Sequence, residues 1–260
     1  MLLRFVCIFT IILAASPLRA KYLLRKYNFA TEEEALANHV SHAKQDESGF
    51  MWFATWHGLV RFDGQTFYTF QPTLRSDDTI LSNRIYNMRL SATGDIWCVS
   101  SDRSLYLFNR KESEYINMLR VIPEIAHRKV RAITHLKNNT TWVVFHDASA
   151  IRFNDYQPLS DYTFFDNPSA LLRGSTRIDA VVLADSSEWL LTDTHAFNTT
   201  GRQMVPGRFK HVYATDGHYL LVSVDGRIME TDGQGNKKSV YRLAPHLDVT
   251  FTLRMRAEII

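Results

Sequence analysis

The sequence predicts an all-β fold, a β-propeller of four-stranded blades, and three observations carry that prediction. Four of the five tryptophans, Trp52, Trp97, Trp142 and Trp189, stand 45, 45 and 47 residues apart. Each sits in a run of short apolar or alternating segments punctuated by Gly, Asp and Asn, the pattern of strands joined by tight turns. A period in the forties with about four strands per unit is the signature of a propeller among repeat architectures.

The clearest copy is Gln45 to Gly64, QDESGFMWFATWHGLVRFDG. Phe50 to Thr55 is almost wholly apolar and suits a strand buried on both faces. Gly58 permits a reversal, and Leu59 to Phe62 forms a second strand closed by the turn pair Asp63-Gly64. A fifth, weaker copy is DGHYLLVSVDGRIMETDG, where Leu220 replaces the tryptophan three residues after Gly217. Blade one reads as His39–Gln45, Phe50–Thr55, Leu59–Phe62 and Thr66–Phe70. Blade two reads as Ile85–Leu90, Asp95–Ser100, Leu105–Phe108 and Tyr115–Met118. Blade three takes Val130–Leu136, Thr141–Phe145, Ala150–Phe153 and Tyr162–Phe165. Blade four runs from Ile178–Leu183 through Glu188–Thr192 to a poorly marked remainder. Blade five is His211–Ala214, Tyr219–Val224, Arg227–Thr231 and Ser239–Arg242. The blades thus span about 38–70, 84–118, 129–165, 177–208 and 210–243, and 248–260 starts a further one, with Val249–Arg254 as its first strand.

With these residues in view, the chain resembles the two-component-regulator propeller repeat family. Asp46, Gly49, Trp52, Thr55, Gly58-Leu59 and Arg61-Phe62-Asp63 match that repeat closely, and Leu81-Ser82-Asn83-Arg84-Ile85 is similar to its usual approach to a blade. The fourth copy keeps Asp185 and Trp189 but has lost the Gly-Leu turn. The resemblance implies the periplasmic sensor region of a large bacterial receptor, often a hybrid histidine kinase controlling glycan use, and it implies no particular ligand. Propellers of this family are commonly seven-bladed. The expectation is therefore an incomplete propeller, the front part of a longer receptor, with a five-bladed propeller closed by Tyr22–Phe29 as the alternative.

Residues 1–20 read as an export signal: Arg4, the apolar run Phe5–Ala15, then Pro17-Leu18-Arg19-Ala20 as a cleavage region, with Ser16 as a second cleavage point. The run falls short of the roughly 18 residues of a spanning helix. Residues 21–260 form the propeller region, led by a segment in which Thr31 and Glu34 fit a capping box. The expected location is the periplasm, with a membrane tether only if the chain belongs to a longer receptor. Export leaves Cys98 as the one cysteine beyond the signal, which excludes an internal disulfide and a cysteine metal site. Cys98 follows Trp97 in a core strand and reads as a buried structural thiol. Removing Arg4 and Arg19 lowers the formal charge from +3 to +1, too near neutral for a general nucleic-acid binder.

Function is expected on the loops of one face, where the turn after each second strand and the approach to each first strand lie together. The turns supply Trp56-His57, Ser101-Asp102-Arg103, His146-Asp147, Asp193-Thr194-His195 and Val224-Asp225. The approach residues are cationic or histidine in every unit: His39, Arg84, Lys129, Arg177 and His211. The candidate ligand-binding residues are accordingly Trp56, His57, Arg84, Arg103, Lys129, His146, Arg177 and His195. Arginine and lysine would hold carboxylate or sulfate, and Trp56 and His57 offer flat faces to sugar rings. The competing reading has each basic residue satisfying carbonyls of the connecting loop. Trp56 is singled out as an aromatic outside the repeated slot.

No catalytic residues, metal ligands or cofactor are assigned. Gly49 and Gly94 with their tryptophans are similar to the Asp-box of sialidase propellers, but Glu47 and Ala92 stand where its aspartate would be. Asp102, Asp147, Asp193 and Asp225 are turn residues with nothing to show that two converge as glycoside hydrolysis requires. The histidines lack the H-x-x-x-H and H-E-x-x-H patterns. The expectation is a non-enzymatic sensor for an oligosaccharide or other small periplasmic ligand, partnered by downstream receptor domains or a dimer mate. A secreted protein-interaction propeller is the alternative, followed by a glycan-active lyase or hydrolase.

Overall fold

The computed structural model describes residues 39–71, 82–166, 175–199, 203–215, 218–232 and 236–242. The export signal expected at 1–20, the segment 21–38 and the strand expected at Val249–Arg254 lie outside the described residues.

Among the described residues, twenty strands form five four-stranded antiparallel sheets, each a simple meander. Blade one is β1 (Val40–Gln45), β2 (Met51–Thr55), β3 (Gly58–Phe62) and β4 (Phe67–Phe70). Blade two is β5 (Ile85–Leu90), β6 (Ile96–Ser100), β7 (Leu105–Asn109) and β8 (Glu114–Asn117). Blade three is β9 (Val130–Leu136), β10 (Thr140–Phe145), β11 (Ala150–Asn154) and β12 (Tyr162–Phe165). Blade four is β13 (Ile178–Ala184), β14 (Ser187–Thr192), β15 (His195–Asn198) and β16 (Gln203–Pro206). Blade five is β17 (Phe209–Thr215), β18 (His218–Ser223), β19 (Arg227–Asp232) and β20 (Lys237–Arg242). First strands of successive blades lie against one another, β1 on β5, β5 on β9, β9 on β13 and β13 on β17, so they are the inner strands of a β-propeller.

The core lies between blades rather than within them. Trp52 packs with Ile85, Met88 and Phe108 of blade two. Trp97 packs with Val130, Ile133 and Phe153 of blade three, Trp142 with Ile178 and Leu190 of blade four, and Trp189 with Phe209 and Val212 of blade five. All four tryptophans are buried, which explains the repeat: each unit presents its largest apolar face to the next. Cys98 is buried in the first of these seams, and burial pushes its thiol well up, as an inert core residue.

The spacing Asp-x-x-Gly-x-x-Trp has a direct physical cause. Asp46 Oδ1 accepts from the backbone of Ser48 and Phe50, and Oδ2 accepts Trp52 Nε1 at 2.8 Å. Gly49 takes a left-handed backbone (φ 88°) that closes the turn. Gly58 (φ 105°) is equally constrained, because a Cβ there would meet Phe70 O at 2.2 Å.

Three sequence expectations need correction. Met118 does not end a strand: Asn117 caps the short helix α1 (Met118–Val121), its side chain accepting from Leu119 N. Asp185 does not play the part of Asp46. It occupies a two-residue turn with φ 56°, and Trp189 Nε1 is buried without a hydrogen-bond partner. Blade five begins at Phe209, two residues before His211.

Candidate functional site

Every inner strand carries a β-bulge beside its first residue, and the bulge organises one mouth of the propeller. The register skips a residue between Val40 and His42, Ile85 and Asn87, Ile178 and Ala180, and Phe209 and His211, and opposite Val144/Phe145 in blade three. The extra residues are Ser41, Tyr86, Arg131, Asp179 and Lys210. A bulge of this kind bends the strand and re-aims a side chain. The residues preceding each inner strand are His39, Arg84, Lys129, Arg177 and Arg208. The fifth basic position is therefore Arg208, not His211, which lies inside β17.

The backbone of this ring is tied to the neighbouring turns. Ser101, His146, Asp193 and Val224 donate their N–H groups to the carbonyls of Arg84, Lys129, Arg177 and Arg208. These bonds fix the position of the basic residues and leave their side chains to differ.

The side chains divide the mouth into three sectors. At blades one and two, Trp56 is 41 % exposed, lies edge-on to His39 with ring centroids 4.3 Å apart, and carries the Arg84 guanidinium 4.6 Å from its ring. His39 has a left-handed backbone (φ 68°), and the neighbouring His57 is exposed, its N–H donated to Thr55 Oγ1. At blades two and three, Arg103 donates to the Tyr86 hydroxyl at 2.6 Å and lies over its ring. Lys129 Nζ reaches the Asp102 carbonyl at 3.0 Å, which is the loop-satisfying role for that one residue. His146 beside it is exposed.

At blades three to five, Asp179 gathers three arginines. Arg177 Nε donates to Oδ1 at 2.5 Å, Arg208 Nε donates to Oδ2 at 3.2 Å, and Arg131 Nη2 stands 3.6 Å from Oδ1. Of the candidates read from sequence, Trp56, His57, Arg84, Arg103, Lys129, His146 and Arg177 reach this mouth. His195 does not. It is 4 % exposed at the start of β15, its Nδ1 within reach of Thr194 and Ser175 hydroxyls, because the turn before it is too short to lift it out of the seam.

The aspartates of the turns at this mouth, Asp102, Asp147, Asp193 and Asp225, all have their carboxyls lowered. Burial raises the Asp102 and Asp147 carboxyls, but hydrogen bonds from Ser100 and Ser104, and from Ser149 with the Arg128 charge, leave both below their ordinary value. Asp193 is likewise lowered against desolvation by Thr176. Asp225 falls to about 2 through Arg227 and Ser223. A glycosidase acid needs its carboxyl raised, the opposite direction. Among the described residues no group of three or more His, Cys, Asp or Glu is arranged to hold a metal ion.

Arg131, Asp179, Arg208 and Tyr86 were not singled out from the sequence, yet a signal for them exists. Apolar residues recur every third position in Val130-Ile133-Leu136, Ile178-Val181-Ala184 and Phe209-Val212. Strict strand alternation is two, so a spacing of three marks a bulge. That pattern aligns Phe209 with Ile85 and makes Arg208 the fifth basic residue.

No protein-family model matches the chain, and no curated protein matches its sequence. Among solved structures, it is similar to the extracellular domain of BT3049 of B. thetaiotaomicron, a protein described as a hybrid two component system. The TM-score is 0.51 at 12 % identity, covering 83 % of this chain and 31 % of that one. The extracellular domain of BT4673 of the same organism gives 0.45 at 13 % identity over 80 % and 31 %. The Swd1 β-propeller domain of Myceliophteria thermophila gives 0.45 at 12 % over 79 % and 72 %. The first is a likeness of fold, and the other two are too distant to carry an argument. This chain spans about a third of the length of the two extracellular domains.

Proposed function

We propose that this chain is the exported sensor propeller of a two-component-type receptor, and that it takes an oligosaccharide at the mouth built by the bulged inner strands. The observation that carries this reading is Trp56, a large aromatic kept half in solvent at the mouth and in contact with Arg84 of the next blade. A ring flanked by His39 and Arg84 is held in one orientation while leaving a face for an apolar sugar surface. The sequence resemblance and the fold likeness to an extracellular two component domain point the same way. Among the described residues no helix is long and apolar enough to cross a membrane. Signalling on this reading is differential binding: ligand favours one arrangement of the propeller with downstream receptor domains or a dimer mate, and its free energy biases that equilibrium.

The test is calorimetry and thermal melting of the full chain against neutral and acidic oligosaccharides. A ligand should raise the melting temperature saturably. Trp56→Ala should weaken binding about tenfold, the equivalent of ~1.4 kcal/mol, with the unliganded melt unchanged. If no saccharide binds while a second protein shifts the mass in solution, the chain is an interaction module and the sensor reading fails.

A further inference from the structure

The Asp179 sector is overloaded with donors. Three guanidinium groups bring roughly fifteen N–H donors against about four acceptor sites on one carboxylate. Arg131, at 3.6 Å, is beyond hydrogen-bond reach of that carboxylate, and Arg208 touches it through Nε alone. Side-chain exposures of 29 %, 41 % and 48 % for Arg131, Arg177 and Arg208 show that water reaches all three. The local balance is three positive charges to one negative. Asp193 lies in the adjoining turn, but its carboxylate is turned to the Thr176 backbone and hydroxyl at 2.7–3.2 Å.

The positions are as telling as the charges. Arg131 and Asp179 are bulge residues of adjacent inner strands, and Arg177 and Arg208 precede inner strands of blades four and five. Four residues from three blades thus meet at one mouth, each on a rigid inner strand or at its root. Asp179 holds Arg177 through Nε and, at 3.5 Å, Nη2, and holds Arg208 through Nε alone, which leaves Arg177 Nη1 and the terminal N–H groups of Arg208 and Arg131 to grip a second oxyanion. Exposed ion pairs add little to stability.

We propose that Arg131, Arg177 and Arg208, organised by Asp179, form an oxyanion site that binds the carboxylate or sulfate group of an acidic oligosaccharide. The site deepens the sensor reading: with Trp56 in another sector of the same mouth, ring contact and charge contact are separate subsites. It also rests on that reading, because the oxyanion is assigned to a glycan rather than to a free ion.

The experiment is titration of the full chain at low salt with oligogalacturonate, its methyl ester, a sulfated disaccharide and sodium sulfate. Oligogalacturonate or the sulfated disaccharide should bind, and added NaCl should weaken the complex. The methyl ester, which keeps the rings and loses the charge, should bind at least about tenfold more weakly. The double variant Arg131→Gln/Arg208→Gln should lose a similar factor toward the charged sugar while melting cooperatively. If that variant fails to fold, Arg208→Gln alone serves, with several-fold loss expected. Equal binding of acid and ester, or unchanged affinity in both variants, overturns the site. Binding of inorganic sulfate without either charged sugar overturns the glycan assignment. Trp56→Ala separates the two proposals: it should spare sulfate binding, so loss of sugar binding there with sulfate retained faults neither, whereas sulfate binding lost in the arginine variants alone isolates this site.

Discussion

The two ends of the blades use the same chemistry, carboxylates facing donors across a seam, with opposite balance. At the end away from the mouth, three buried carboxylates are each filled. Asp46 takes Trp52 Nε1 and Arg110 from the next blade, and Asp155 takes Ala92 N, Trp97 Nε1 and His135 at 2.9–3.4 Å. Glu188 takes Asn138, Thr140 and Arg152, each at 2.7 Å. At the mouth, Asp179 is outnumbered by its partners and wet. The difference separates two uses of charge: a filled, dry carboxylate locks blade to blade, and a donor surplus in water is capacity for something else.

The sharpest test of the lock is Asp155→Ala. Asp155 is 2 % exposed, and its loss strands the buried Trp97 indole and takes the acceptor from the half-buried Ala92 amide and His135. Removing one member of such a buried set should cost about 3–5 kcal/mol, read by urea denaturation of the full chain. A loss below ~1 kcal/mol, the range of surface pairs, would mean that the two ends are not different in kind.

Glu188 sharpens the comparison with pH. Burial pushes its carboxyl up, but hydrogen bonds from Arg152, Thr140 and Asn138 together outweigh that and hold it below the ordinary 4.5. A folded value below the unfolded one means that its contribution is complete above the unfolded value and is lost as pH falls through the folded one. Glu188→Gln should therefore cost about 1–3 kcal/mol at neutral pH and progressively less as acid is added below the ordinary carboxyl range. Parallel pH profiles for the two proteins would contradict the lock at this seam.

A smaller effect compares two tryptophans in the same slot. Trp52 donates to Asp46, whereas Trp142 Nε1 is buried without a hydrogen-bond partner. Trp52→Phe loses packing and leaves Asp46 short of a donor. Trp142→Phe loses similar packing but also removes an orphaned N–H whose burial costs about 1–3 kcal/mol. Trp52→Phe should be the more damaging of the pair by roughly 1 kcal/mol, and equal losses would refute the role given to Asp46.

Much of this was legible in the chain. The tryptophan period gave the blades because each tryptophan must fill the seam to the next, and a core assembled from repeats writes its period into the sequence. The outer half of blade four was not legible, since this copy has lost the Gly-Leu turn and β16 ends in Pro206. The mouth was read in outline through Trp56, Arg84, Lys129 and Arg177. Its centre was harder to read, because each inner strand takes one extra residue at its bulge and this breaks the alternation of a strand pattern. Arg131 and Asp179 are such extra residues, and Arg208 rather than His211 precedes β17. His195 failed for another reason: its turn is only Asp193-Thr194, so His195 is already the first residue of β15 and is buried with that strand.

Asp179→Asn asks the least of stability and the most of the contrast between the two ends. Where Asp155 is a lock, its loss leaves buried groups unpaired, and salt in solution cannot replace it. Where Asp179 is a counter-ion in water, its neutralisation leaves three arginines repelling one another at a solvated mouth. The expected loss is about 1 kcal/mol or less, and it should shrink as NaCl rises, because added salt shortens the Debye length from about 10 Å at 0.1 M to about 3 Å at 1 M and so screens exposed charges. Sulfate should stabilise the Asp179→Asn protein at lower concentration than it stabilises the parent, since the vacated acceptor position adds to the donors on offer. A loss as large as that of Asp155→Ala and indifferent to salt would instead make Asp179 a fourth lock, and the donor surplus at the mouth would then belong to the architecture of the seam.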